Sequence, residues 1–180
     1  MMPGMDGIEL CREIRKTSHI PIIFLSAKST DLDKILGLGC GADDYVTKPF
    51  NPLELTARVK SQLRRYTEFN SGVKEPEENK QKITVRGLES DKSTHVVKVD
   101  GEEIRLTPLE FDILWLLCSN RGRVISSEQL FEQIWKEKYF KNSNNTVMVH
   151  IRHLREKMGD GTRKSDFIKT VWGVGYKIEK

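Results

Sequence analysis

Asn144 to Met158 gathers the side chains in this 180-residue chain best suited to gripping an anion. Val147, Ile151, Leu154 and Met158 recur at steps of four, three and four, which places them on one stripe of a helix. The remaining face offers Asn145, Met148, Val149, Arg152, His153 and Arg155. A helix that buries one side and presents cations and amides on the other fits the major groove of DNA, where such groups reach base edges and phosphates. The same pattern also describes an ordinary solvated helix, so its neighbours have to decide.

Charge along the chain favours the groove. The totals, 30 Lys and Arg against 26 Asp and Glu, give a net charge of only +4. Residues 83 to 135, however, hold 6 basic and 9 acidic residues, net −3, whereas residues 136 to 180 hold 11 and 5, net +6. Positive charge thus concentrates around the proposed helix and the residues C-terminal to it, as expected of a surface that neutralises phosphates and releases counterions.

Length suits about two domains, at roughly 100 to 200 residues each, and a hydrophobic content of 37% suits a soluble globular protein. The most apolar runs, Ile20 to Leu25 and Ile113 to Cys118, are far shorter than the roughly 18 residues of a membrane span. No basic stretch leading into an apolar core marks a secretory signal, so a cytoplasmic protein without a membrane partner is expected. Cys11, Cys40 and Cys118 are odd in number and widely spaced, which fits reduced core thiols with no redox role. A glycine-rich phosphate loop, paired catalytic carboxylates and a nucleophile beside its base are all lacking, which argues against an enzyme.

The elements that must position the helix follow from pattern and punctuation. The loop-forming run Met1 to Gly7 leads into Ile8, Leu10, Cys11 and Ile14 at helical spacing. Ile20 to Leu25 reads as a strand buried on both faces, Asp31 to Leu38 as a helix, Tyr45 to Thr47 as a short strand, and Pro52 to Tyr66 as a helix with proline in its first turn. This alternation argues for a parallel α/β layer over residues 1–66. Residues 67–82, rich in Glu, Lys, Asn, Ser and Gly, read as a flexible linker.

Beyond it, Ile83 to Leu88, Thr94 to Val99 and Glu103 to Leu106 read as a small antiparallel sheet, with Asp100-Gly101 as a hairpin turn. Thr107-Pro108-Leu109-Glu110 is a capping box with proline at the first helical position, and Ser126 with Gln129 repeats the signal. Gly159 ends the third helix, and Phe167 to Thr170 and Tyr176 to Ile178 form a hairpin around Trp172-Gly173-Val174-Gly175. Residues 83–180 are therefore expected to form an α+β domain of sheet, three helices and wing.

In the first region, Met2-Pro3-Gly4-Met5-Asp6-Gly7, Ser26-Ala27, Gly41-Ala42-Asp43-Asp44-Tyr45 and Lys48-Pro49-Phe50 closely resemble the receiver domain of response regulators. The resemblance implies the C-terminal half of a flavodoxin-like α/β receiver. It assigns Lys48 to pairing with a phosphorylated aspartate, Ser26 to following the phosphoryl group, and Tyr45 to turning inward, a switch driven by added negative charge. It also implies a cis Lys48-Pro49 bond. The acceptor aspartate and the acidic pair that holds magnesium map upstream of Met1, so this stretch is expected to hold no cofactor, magnesium belonging only to a complete receiver. Asp6, Asp43 and Asp44 are not read as metal ligands; Asp6 suits a helix cap. Lys34, Asp44, Glu54 and Arg58 match positions through which such receivers form homodimers, although exposed pairs of this kind stabilise by only ~0 to 1 kcal/mol each.

In the second region, Leu106 to Phe111, Val149 to Arg155 and Thr170 to Tyr176 resemble the winged helix-turn-helix effector of the OmpR/PhoB family. The resemblance covers nearly every residue and implies a transcriptional regulator of a two-component phosphorelay. Its implied partners are double-stranded DNA at direct-repeat promoter sites, a sensor histidine kinase for the full-length form, and RNA polymerase. Residue by residue, it assigns DNA contact to Asn145, Thr146, Met148, His150, Arg152, His153 and Arg155, and on the wing to Thr170, Trp172 and Tyr176. Asn145 and His153 stand where PhoB-type members carry arginine, Met148 replaces an acidic residue and Trp172 the wing arginine, so the target sequence does not carry over. Arg152 suits either a guanine or a phosphate, and Met148 a thymine methyl. Trp172 suits DNA contact and packing beneath the wing equally. His150 and His153 are read as hydrogen-bonding groups, with no metal ligand at suitable spacing. The alternative function is an interaction module in which a partial receiver pairs with full-length regulators and modulates them.

Overall fold

The computed structural model describes residues 5–70, 81–136, 139, 143–160 and 167–180. Met1 to Gly4 and most of the expected linker lie outside them. Asp6 caps α1 (Gly7–Thr17), its Oδ1 accepting from Glu9 N at 2.8 Å. β1 (Ile23–Ser26) leads to α2 (Asp31–Gly39), which Thr30 caps by accepting from Asp33 N at 3.2 Å. β2 (Asp44–Thr47) then pairs in parallel with β1, Ile23 opposite Asp44 and Ser26 opposite Thr47, before α3 (Pro52–Asn70). The first strand is not buried on both faces as its composition suggested. Ile22 and Phe24 pack toward the buried cluster of Cys11, Cys40 and Ala42, whereas Leu25, one step out of phase, is 42% exposed.

Helix α3 runs four residues past Tyr66, into the stretch that composition marked as linker. Thr67 bonds back to Leu63 O at 2.8 Å, and two residues earlier Arg65 reaches Asp112 at 2.6 Å and the carbonyl of Ile134. Through Arg65 the helix therefore reaches the second domain, a contact between distant elements that local composition does not reveal.

The second domain starts with four antiparallel strands in sequential order, β3 (Lys82–Val85), β4 (Leu88–Asp91), β5 (Val96–Val99) and β6 (Glu102–Ile104). The run expected as one strand from Ile83 to Leu88 is instead a hairpin. Arg86 and Gly87 both take positive φ, 52° and 84°, and fold Leu88 back onto Val85. Asp100-Gly101 makes the anticipated turn in the same way, at φ 51° and 88°.

Three helices complete the scaffold: α4 (Pro108–Ser119), α5 (Ser127–Trp135) and α6 (Ser143–Lys157). Both capping boxes form. Thr107 Oγ1 accepts from Glu110 N at 3.3 Å while Glu110 accepts from Thr107 N at 2.7 Å, and Ser126 and Gln129 exchange the same pair at 3.0 and 3.1 Å. The hairpin β8 (Ile168–Val171) and β9 (Gly175–Ile178) closes the domain. Short β7 (Ile125–Ser126), which two residues of sequence cannot announce, pairs with β9. The approach is so close that a Cβ at Gly175 would lie 2.0 Å from the Ile125 carbonyl. Phe111, Leu114, Phe131, Ile151, Leu154 and Ile178, among others, form one continuous core.

Candidate nucleic-acid interface

Helix α6 keeps the apolar stripe its spacing promised. Val147, Ile151, Leu154 and Met158 are all buried in the core, each stabilising the fold by about 1.5 to 3 kcal/mol on the usual scale for a buried aliphatic side chain. That seating fixes the rotation of the helix and hence what its other sides offer. Asn145, Met148 and Arg152, spaced three and four apart, share an open face on which Met148 is 46% exposed. In the first turn Asn145 and Thr146 are half-buried. Arg152 is exposed and held one turn from Glu156, Nε to Oε1 2.7 Å, a weak surface pair that a phosphate or base edge can displace.

The wing completes this surface. Trp172 sits at the tip of the β8–β9 hairpin, 89% exposed, so it does not pack beneath the wing. Lys169 and Lys177 flank it along the strands, both paired to Glu179 at 3.1 and 3.3 Å. Arg155 ties the wing to α6, donating to Ile168 O at 3.1 and 2.7 Å and to Thr170 Oγ1 at 2.8 Å. Arg155 and Thr170 thus position the hairpin relative to the helix rather than standing free.

Two expected contacts are buried instead. Tyr176 is only 8% exposed and belongs to the core, where burial raises its phenol pKa. His150 is 2% exposed, with its ring 5.6 Å from that of Trp135. Burial, with the neighbouring His153 acting in the same direction, lowers its pKa from 6.5 to about 3, so its ring is neutral.

For His150 the reason lies in the first domain, because α2 packs against α6. His153 meets the Gly39 carbonyl at 3.3 Å, and Val149 is 4% exposed without belonging to the effector core. Asp43, next to this contact, is paired to Arg15 at 2.7 Å and to Ile22 N at 2.8 Å, and the Thr107 hydroxyl also bonds it. Burial raises its pKa from 3.8 to about 6 against the opposing pull of Arg15. One flank of α6, with Val149, His150 and His153, is therefore covered, and the flank with Asn145, Met148 and Arg152 is open. Helical periodicity gave no warning, since the covering partner is more than a hundred residues away in sequence.

At the other end of the first domain, Ser26 and Lys48 come together where the two strands end, Lys48 N donating to Ser26 O at 2.7 Å, and Lys48-Pro49 is cis. Tyr45 stacks on Phe24 with ring centres 6.0 Å apart, and its hydroxyl donates to Lys28 O at 2.9 Å. Of the four residues expected to pair across a dimer, three pair within the chain. Arg58 bridges Asp44 at 3.0 Å and Glu54 at 2.9 Å, and the side chains of Arg58 and Asp44 are buried. Lys34 is half-buried on α2. The carboxylates do not fit a magnesium site: Asp6 caps a helix, Asp43 faces Arg15 and Asp44 faces Arg58, so they do not converge.

Comparison with known proteins agrees with this geometry. Residues 1–60 match the family described as response regulator receiver domain, and residues 101–178 the family described as transcriptional regulatory protein, C terminal. The crystal structure of DrrB, a Thermotoga maritima OmpR/PhoB homologue, is 35% identical, with 100% of this chain and 76% of that chain covered and a TM-score of 0.51. The DNA-binding domain of Klebsiella pneumoniae RstA, solved in complex with the RstA box, covers 55% of this chain and 97% of its own at 29% identity and TM-score 0.51. The chain belongs to the OmpR/PhoB family of response regulators, receiver followed by winged-helix effector, and is a DNA-binding transcriptional regulator of a two-component system. Within that family it is similar to the regulatory protein VanR of Enterococcus faecium, 57% identical over 180 residues that span all of this chain and 77% of that protein.

Proposed function

We propose that this regulator grips double-stranded promoter DNA with the open flank of α6 in the major groove and the wing against the adjoining backbone. The observation that carries the reading is the pairing of the open Asn145, Met148 and Arg152 face with Trp172, 89% exposed on a hairpin that Arg155 fixes to the same helix. Contacts of this kind, hydrogen bonds and an apolar tip, read sequence and shape without catalysis. The RstA domain, solved on its own DNA box, supports the placement by likeness. Direct-repeat sites, homodimers through the receiver, a sensor kinase for the complete receiver and contact with RNA polymerase are part of the same proposal. So is a cytoplasmic location, where promoter DNA is found; no described helix is long and apolar enough to cross a membrane.

A gel-shift titration with Arg152→Ala tests it. Binding weakens by about 1 to 3 kcal/mol, with relaxed preference at one base position if Arg152 reads a base, or uniformly if it holds a phosphate. Unchanged binding removes α6 from the groove.

A further inference from the structure

Cys11 and Cys40, 29 residues apart in sequence, meet in the small buried cluster under α1 and α2. The Cys11 thiol donates to the Cys40 carbonyl at 3.6 Å, the Cys40 thiol donates to the Gly37 carbonyl at 2.9 Å, and the two thiols interact with each other. Thiol chemistry starts from the thiolate. Cys40 is the more accessible of the two, 8% against 2%, and the neighbouring Cys11 thiol lowers its pKa from 9.0 to about 7. Cys11 moves the other way and stays protonated. Cys118 lies in the effector core, where burial pushes its pKa up to about 12.

Position gives the pair its consequence. Cys40 is the C-cap of α2, and the carbonyl one residue before it, that of Gly39, meets His153 on α6. From α1, Arg15 holds the same turn through Gly41 O at 2.8 Å and Asp43 at 2.7 Å. A covalent link from Cys11 would join α1 to the end of α2 in the arrangement that covers α6.

We propose that Cys11 and Cys40 are a modification site that forms an intramolecular disulfide on exposure to a hydroperoxide, fastening α2 over α6 and weakening DNA binding. The second half rests on the DNA-binding reading above. The Cys40 thiolate attacks an oxygen of hydrogen peroxide, the O–O bond breaks, and a sulfenic acid and hydroxide form, the hydroxide becoming water with the proton that Cys40 gave up. The Cys11 sulfur then attacks the Cys40 sulfur and displaces the hydroxyl, which leaves as water with the Cys11 proton. Each sulfur loses one electron and each peroxide oxygen gains one.

The test treats the whole chain with hydrogen peroxide, alkylates the remaining thiols, and reads intact mass, cross-linked peptides and DNA affinity. The expected product has lost two hydrogens, carries a Cys11–Cys40 peptide and an alkylated Cys118, and binds DNA about tenfold more weakly until dithiothreitol restores it. Cys118→Ser behaves like the parent, whereas Cys40→Ser gains no cross-link and keeps its affinity. Alkylation of both Cys11 and Cys40 after peroxide, or oxygen added to Cys40 without a cross-link, overturns the site. A disulfide that leaves DNA affinity unchanged overturns the regulatory half. Failure of the reduced protein to bind DNA defeats the DNA reading and that half with it, while the mass still decides the site.

Discussion

The two domains differ most in what holds them together. Among the described residues, the effector buries 22 apolar residues in one cluster drawn from its sheet, its helices and its wing. The cluster in the receiver region holds three, Cys11, Cys40 and Ala42. Large apolar side chains have the opposite distribution: Leu10, Leu25, Leu32, Leu36, Leu53 and Leu63 are all exposed on the receiver side, while on the effector side Met148, Trp172 and Val174 belong to α6 and the wing, and among the described residues only Val124 lies elsewhere. An exposed apolar residue therefore means different things in the two places. In the effector it falls mostly on the surface proposed for DNA, and in the receiver it marks a fold with little core of its own.

Substitutions sharpen this contrast. Leu154→Ala, at 0% exposure in the effector core, should cost about 2 to 5 kcal/mol in urea denaturation, whereas Leu36→Ala, 50% exposed on α2, should stay within about 0.5 kcal/mol. Equal losses at the two sites would erase the distinction.

A smaller and signed effect comes from the two buried groups at the α2–α6 contact. His150 has a folded pKa of about 3 against 6.5, so the unfolded chain takes up its proton first as pH falls. Its contribution is fully present above pH 6.5 and is lost as pH drops toward about 3. Asp43 has a folded pKa of about 6 against 3.8, so the folded chain keeps its proton longer as pH rises. Its contribution is present below 3.8 and is lost as pH climbs through about 6. Thermal melting across this range should show His150→Gln losing less stability than the parent on acidification, and Asp43→Asn losing less on the way up. Parallel pH profiles for parent and variants would mean that neither group is buried at this contact.

Local chemistry in the sequence announced much of this fold. The boxes at Thr107 and Ser126, the Asp100-Gly101 turn and the four-residue stripe on α6 each carry their cause within a few residues. The features that stayed hidden depend on distant partners. Arg86-Gly87 lacked the usual turn chemistry at its first position, and β7 exists only because β9 lies beside it. The candidate site divides the same way. Arg152 and Met148 follow from helix phase, whereas the burial of His150 and Tyr176, the internal pairing of Arg58 with Asp44, and the meeting of Cys11 with Cys40 are all contacts between separate elements.

If the effector alone carries the DNA surface and α2 covers part of it, removing the receiver region leaves that surface intact and uncovers the rest. Residues 81–180, produced without the receiver region, can be titrated by fluorescence anisotropy beside the whole chain on a duplex selected from a random pool. The fragment should melt cooperatively, bind that duplex in preference to unselected DNA, and bind it at least as tightly as the whole chain does. A folded fragment that shows no preference for the selected duplex, or that binds it more weakly than the whole chain, would contradict the account.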